Sequence, residues 1–211
     1  MRLFVLVLSG MAACSTKEPP TEGRAASPAT ATKAPRCVDD TNKRMSVGKL
    51  SGCLLAAEWT AGNLTCKRDH MLDVYPDGAL KRCSLLSPTD LGGFRCVETT
   101  ELYEDGKFKR CKLAAAKTVN DIYVRAGDWV TVYKSGAIKR VEFSSGAGKL
   151  KGLLCKGFFN FLHENGHLKK CEIAEATKID GQDVTAGTLA CFDDRGKRVS
   201  DCKLLTWEML D

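Results

Sequence analysis

From Cys37 onward, apolar residues return at fixed distances from a glycine. Val74, Leu102, Val132, Leu162 and Phe192 stand four residues before one; Leu80, Phe108, Ile138 and Leu168 stand two after. Leu85, Leu113, Phe143 and Ile173 follow seven after. The glycines are Gly48, Gly78, Gly106, Gly136, Gly166 and Gly196, spaced 30, 28, 30, 30 and 30 residues apart. So regular a period marks a repeat architecture rather than an ordinary mixed domain. Four copies read YPDGALKRCSL (75–85), YEDGKFKRCKL (103–113), YKSGAIKRVEF (133–143) and HENGHLKKCEI (163–173). Two worn ones read VGKLSGCLL (47–55) and DDRGKRVSDCKL (193–204). The Asp-Gly, Asn-Gly, Ser-Gly or Arg-Gly pair between apolar segments supplies the positive φ that a tight hairpin turn requires. A second segment, GNLTC (62–66), GGFRC (92–96), GDWVT (127–131) and GTLAC (187–191), reads as a further short strand opening most units. Helix-compatible patterning is confined to Glu172–Lys178 and Leu204–Asp211. The expected fold is all-β: tandem β-hairpin repeats of about 30 residues forming an elongated, disulfide-stapled array, with six units in residues 37–211.

The first 36 residues do not share this pattern. Met1 and Arg2 precede the apolar run Leu3–Leu8, and small or flexible residues lead to Cys14, as in a secretory signal. The apolar stretch Leu3–Ala13 is far short of the roughly 20 residues that span a bilayer as a helix. Met11-Ala12-Ala13-Cys14 resembles the lipobox of bacterial lipoproteins, with methionine in place of the usual leucine. That resemblance implies cleavage after residue 13, acylation of Cys14, and membrane association through the lipid. Ser15 after the cysteine resembles the outer-membrane sorting choice. Residues 14–36, rich in Pro, Ala and Thr, lack the large apolar residues a core needs and read as a disordered tether.

Composition narrows the function class. Lys+Arg number 32 against 26 Asp+Glu, a formal charge of +6, well below the density of a dedicated nucleic-acid binder. Eleven cysteines without a CxxC pair point to oxidised export rather than to zinc. Apart from Cys14 they form two classes: Cys53, Cys83, Cys111, Cys171 and Cys202 follow the turn, and Cys37, Cys66, Cys96, Cys155 and Cys191 open the unit. In the fourth unit both are absent, Thr131 standing at the opening position and Val141 after the turn, as a bonded pair would be lost together. The expected bridges are therefore Cys37–Cys53, Cys66–Cys83, Cys96–Cys111, Cys155–Cys171 and Cys191–Cys202. A plain hairpin centred before Gly106 would set Thr100, not Cys96, across from Cys111, so three units need a bulge or a third strand. The last pair alone fits a plain hairpin.

No GxSxG, HExxH or phosphate-cradling loop occurs, so neither catalysis, a cofactor nor a metal site is expected. His163 and His167 flank one turn and read as exposed turn residues. One constellation suggests binding. Lys81-Arg82, Lys109-Arg110, Lys139-Arg140 and Lys169-Lys170 occupy equivalent places, and stacking would align them as a basic ladder. Such a stripe would meet lipid phosphates, an anionic glycan or an acidic partner; equally, it is a solvated edge that discourages strand pairing, with Asp77, Glu104, Asp105 and Glu164 nearby. Tyr75, Tyr103 and Tyr133, three before the glycine, are expected to pack on the next unit.

The aromatic, two residues, glycine and aliphatic of Tyr75, Gly78, Leu80 and of Tyr103, Gly106, Phe108 resemble the MORN-variant hairpin repeat. Paired cysteines are more like disulfide-bearing versions in bacterial envelope lipoproteins. The resemblance implies a scaffold or interaction surface, not a reaction; the alternative, a lipoprotein that binds peptidoglycan or an anionic glycan, rests on the basic ladder.

Overall fold

A computed structural model describes residues 33–39, 43–46, 49–200 and 202. Residues 1–32, with the expected signal and Cys14, and also Gly48 and the tail 203–211, lie outside the described residues. Every regular element among the described residues is a β-strand. The first unit holds β1 (Arg44–Ser46) and β2 (Lys49–Leu54), and the second β3 (Trp59–Ala61), β4 (Leu64–Cys66), β5 (Met71–Val74) and β6 (Leu80–Ser84). In the third are β7 (Thr89–Leu91), β8 (Phe94–Leu102) and β9 (Phe108–Leu113). The fourth contains β10 (Lys117–Val119), β11 (Ile122–Val124), β12 (Trp129–Val132) and β13 (Ile138–Glu142). The fifth has β14 (Ala147–Leu150), β15 (Leu153–Leu162) and β16 (Leu168–Ile173); the sixth β17 (Thr177–Ile179), β18 (Gln182–Val184), β19 (Leu189–Phe192) and β20 (Arg198–Val199). Glu172–Lys178 is not helical: its ends belong to β16 and β17.

Each unit from the second onward has a small hairpin followed by a long antiparallel pair closed by the periodic glycine. The long pairs join edge to edge in one antiparallel meander, β1-β2-β5-β6-β8-β9-β12-β13-β15-β16-β19-β20, with β7 and β14 attached through β8 and β15. The small hairpins β3-β4, β10-β11 and β17-β18 stand as separate ribbons. Their Trp59, Leu64, Ile122, Val124, Ile179 and Val184 share one buried cluster with Leu72, Leu102, Val130 and Ile173 of the sheet. The hairpins thus cover one sheet face, and the apolar positions counted from the glycine fill the layer between.

The turns are three-residue loops with a following bulge. In each, the glycine N–H donates to the carbonyl three residues back (Gly78 to Tyr75, 2.9 Å), and that residue's N–H donates to the carbonyl after the glycine (Tyr75 to Ala79, 2.8 Å). Gly78 has φ +89°, whereas Asp77 does not adopt positive φ. The expectation that both members of the pair supply positive φ is corrected accordingly. The residue before the glycine contributes differently: Asp77, Asp105 and Asn165 each accept the N–H two residues on through a side-chain oxygen, at 2.9–3.1 Å.

Just past the turn the register slips by one. Val74 faces Leu80 but Asp73 faces Arg82, and the same step recurs at Lys109, Lys139 and Lys169. The first lysine of every basic pair is therefore a bulge residue, which lets Leu80 and Cys83, an odd number apart, both face the core.

The cysteines join as the spacing indicates: Cys37–Cys53, Cys66–Cys83, Cys96–Cys111 and Cys155–Cys171, each with Cα atoms 5.7 Å apart, and Cys191–Cys202 at 5.4 Å. Thr100 does lie across from Cys111, and Cys96 reaches it because β8 bulges between Val97 and Thr100, with Glu98 at φ +57°. In the fifth unit the shift falls between Lys156 and Phe161.

One equivalence is corrected. GNLTC and GGFRC lie in the small hairpins, but GDWVT and GTLAC lie in the strand directly before the turn. Cys66, Cys96 and Cys155 stand 12, 10 and 11 residues before their glycine, while Thr131 and Cys191 stand only five before. The residue at the opening position of the fourth unit is Val124, 12 before Gly136; Val124 and Val141, both fully buried, occupy the place of the missing cysteines. Thr131 resembles the opening cysteine only because Gly127 repeats the glycine that precedes it.

Candidate functional site: the basic ladder and its counter-charges

The bulge after each turn divides the basic pairs into two rows. The second cation lies in a cross-strand register that runs through the meander: Arg44, Gly52, Asp73, Arg82, Glu101, Arg110, Thr131, Arg140, Phe161, Lys170 and Cys191 are successive partners. This row lies on the face opposite the hairpins, since the adjoining row, Cys83, Thr100, Cys111, Val130 and Val141, is buried against the core. Arg82, Arg110, Arg140 and Lys170 are therefore aligned, as expected, but with Glu101, Thr131 and Phe161 in turn standing between them.

Arg82 meets Asp73 at 2.6 Å, and Arg44 pairs with the other oxygen of that carboxylate. Arg110 holds both oxygens of Glu142 at 2.8 and 3.0 Å and reaches Glu101 at 3.5 Å, while its guanidinium stacks 4.6 Å from the Trp129 ring. Arg140 shares Glu142 at 3.3 Å and lies 5.4 Å from the Phe161 ring. Burial depresses its affinity for the proton, and the neighbouring Glu142 opposes that fall. Lys170 is 4% exposed, and its pKa is lowered by desolvation. The outer row is a set of cross-strand ion pairs and guanidinium–ring stacks rather than an open stripe of charge.

The first cation behaves differently. Lys81, Lys109 and Lys139 place their ammonium groups 5.6, 5.7 and 6.0 Å from the rings of Tyr75, Tyr103 and Tyr133 along the turn rim. Those tyrosines pack on the next unit, as expected. Their hydroxyls donate to the carbonyls of Leu102, Val132 and Leu162 at 2.8, 2.7 and 2.8 Å. His163 stands in for tyrosine in the fifth unit, its Nε2 lying 3.0 Å from the Phe192 carbonyl. The reading of His163 as an exposed turn residue is therefore corrected: the ring links two units. His167 is exposed.

The acids that neutralise the row, Asp73, Glu101 and Glu142, are not the turn acids anticipated from proximity in sequence. Their signal is the register itself: Asp73 and Glu101 stand five before the glycine, across from the arginine four after it. Sequence reasoning also missed Arg125 and Asp128, which bond at 2.9 Å; Asp128 accepts the Ser144 N–H at 3.0 Å, and Arg125 donates to the Ser145 carbonyl at 2.8 Å. This polar tie sits in the one unit whose cysteine pair is replaced by valines.

Among the described residues no group of three or more His, Cys, Asp or Glu is placed to hold a metal, and no helix is long and apolar enough to cross a membrane. No protein-family model, no curated protein and no solved structure matches this chain.

Proposed function

We propose that this protein is a lipid-anchored bacterial envelope protein, directed there by a signal over residues 1–13 and acylated at Cys14, whose β-repeat ectodomain is a non-catalytic interaction or structural module. The observation that carries this reading is the double fastening of the units. A disulfide closes most of them internally, and a ring hydroxyl or imidazole ties one to the next from Tyr75 to Phe192. Such an array keeps its shape without a partner, and its disulfides fit an oxidising compartment. The anionic-glycan reading is disfavoured at Arg110 and Arg140, whose largely covered guanidiniums already face Glu142.

Two experiments test it. Mass spectrometry of the mature chain from a bacterial host should find an acylated Cys14; an unmodified N-terminus ending the membrane association would defeat the anchor. Co-sedimentation with peptidoglycan should be weak and unchanged in the Lys109→Ala, Lys139→Ala, Lys169→Ala triple variant, which leaves the outer-face ion pairs intact. Strong retention lost in that variant would establish the glycan-binding alternative.

A further inference from the structure

The outer row is interrupted at its N-terminal end by Gly52, which adds no side chain between Arg44 and Asp73. The space is already in use: a Cβ at residue 52 would stand 2.6 Å from Asp73 Oδ1 and 2.7 Å from Arg44 Nη2. Around this notch a cleft of about 480 Å³ opens, lined by Arg44, Lys81 and Arg82 as cations and by Asp73 and Glu101 as anions. Its volume lies in the range of small-ligand sites, about 300–1,000 Å³.

The charges are unevenly matched. Arg44 and Arg82 share the single carboxylate of Asp73, one on each oxygen. Glu101 reaches toward Arg110 on the next strand at 3.5 Å. The Asp73 side chain is 11% exposed, whereas those of Arg44 and Arg82 are 51% and 42% exposed. The acid therefore forms a buried footing that orients two accessible guanidiniums. A guanidinium carries five N–H donors in a planar fork, so each retains donors beyond the one directed at Asp73, and such forks match the paired oxygens of a carboxylate or phosphate. Lys81 adds a third cation at the rim over Tyr75. Leu50, Val74 and Pro76 supply an apolar wall beside them.

We propose that this cleft binds a small organic oxyanion, a carboxylate or phosphate ester carrying a ring or apolar body. The body lies against Tyr75, Pro76 and Leu50, and the anionic group is held between Arg44 and Arg82. This goes beyond the scaffold reading and stands independently of it, since it concerns one cleft rather than the ladder. A free ester and a lipid headgroup present the same chemistry.

The test uses the full chain with Cys14→Ser, so that acylation does not itself hold it to lipid. Calorimetric titration with phenyl phosphate should give a Kd of about 1 mM or tighter, and inorganic phosphate should bind more weakly because it lacks the body. Arg82→Gln and, separately, Arg44→Gln should weaken phenyl phosphate about tenfold, while Lys139→Gln, on a distant unit, leaves it unchanged. Arg44 lies at the sheet edge, so its variant reports on the cleft even where Arg82→Gln perturbs folding. Flotation with phosphatidylglycerol vesicles that is competed by phenyl phosphate would identify the headgroup as the source; phenyl phosphate binding without flotation would identify a free ligand. Absence of phenyl phosphate binding at about 10 mM, or equal binding by both arginine variants and the parent chain, overturns the proposal.

Discussion

The Tyr103 hydroxyl donates to the Val132 carbonyl at 2.7 Å, joining residues 29 apart in the chain. The same link is made by Tyr75 to Leu102 and by Tyr133 to Leu162. Val132 is 1% exposed, so its carbonyl has little access to water in place of the phenol. Tyr103→Phe should cost about 1–2 kcal/mol, read as a lower urea midpoint. A midpoint equal to that of the parent would show that the hydroxyl does not fasten the units.

These phenols also set an alkaline limit. Tyr75, Tyr103 and Tyr133 all titrate above the usual tyrosine range, first because of burial, then because of Glu104, Asp105 and Glu164 respectively. A folded pKa above the unfolded one favours the protonated native state. Its stabilisation is complete below the ordinary tyrosine pKa of about 10 and is lost as pH rises through the folded values. Urea midpoints should therefore fall from about pH 10 upward, and the triple Tyr→Phe variant should show a shallower fall.

Much of the fold was legible because one glycine recurs with the same apolar neighbours. Leu102, Phe108 and Leu113 are buried, as their distances from Gly106 indicate. The bridges were legible for a different reason, since Val141 marks where a cysteine has been lost. Less visible was the partner lost with it. Gly127-Asp128-Trp129-Val130-Thr131 imitates the opening segment, and only the strand order shows that Val124 holds the cysteine position. The counter-charges were hidden by a one-residue slip. Without the bulge at Lys109, the register that sets Arg110 across from Glu101 cannot be counted from the turn. Arg125 and Asp128 were hidden because their tie to Ser144 and Ser145 depends on the return path of the chain.

Glu142 holds two cations at once, Arg110 at 2.8 Å and Arg140 at 3.3 Å, with its own side chain 7% exposed. Glu142→Gln keeps the shape and removes the charge, leaving two guanidiniums facing a neutral amide. The expected loss is about 2 kcal/mol, largely insensitive to salt. Removing Lys178, whose partner Asp183 is 84% exposed, should have little effect. Equal effects of the two substitutions would show that burial of Glu142 does not matter.

The bridges differ in access to a reductant. Cys66, Cys83, Cys96, Cys111, Cys155 and Cys171 are fully buried, whereas Cys191 is 9% exposed and Cys37 and Cys202 are half-buried. Graded dithiothreitol followed by alkylation and peptide mapping should find Cys37–Cys53 and Cys191–Cys202 opened first. Simultaneous loss of all five would mean that the reductant enters only through global unfolding.

The fourth unit offers the sharpest test of how the repeats align. Arg125 and Asp128 supply a polar tie there, and Asp128 is only 2% exposed, so Arg125→Ala should destabilise by about 2 kcal/mol, less than for a fully buried pair because the arginine is partly solvated. Restoring the covalent staple should more than offset that loss. Val124 and Val141 are both fully buried and as far apart in sequence as Cys66 and Cys83, 17 residues. The Val124→Cys, Val141→Cys variant should form a bridge and gain about 3 kcal/mol. The pairing suggested by the local sequence, Thr131→Cys with Val141→Cys, should form none. Thr131 lies in register with Arg140 and Val130 with Val141, so Thr131 and Val141 face opposite sides of the sheet. Free-thiol counts on the two purified variants decide between the alignments: a bridge in the second and not in the first would place Thr131, rather than Val124, at the opening position.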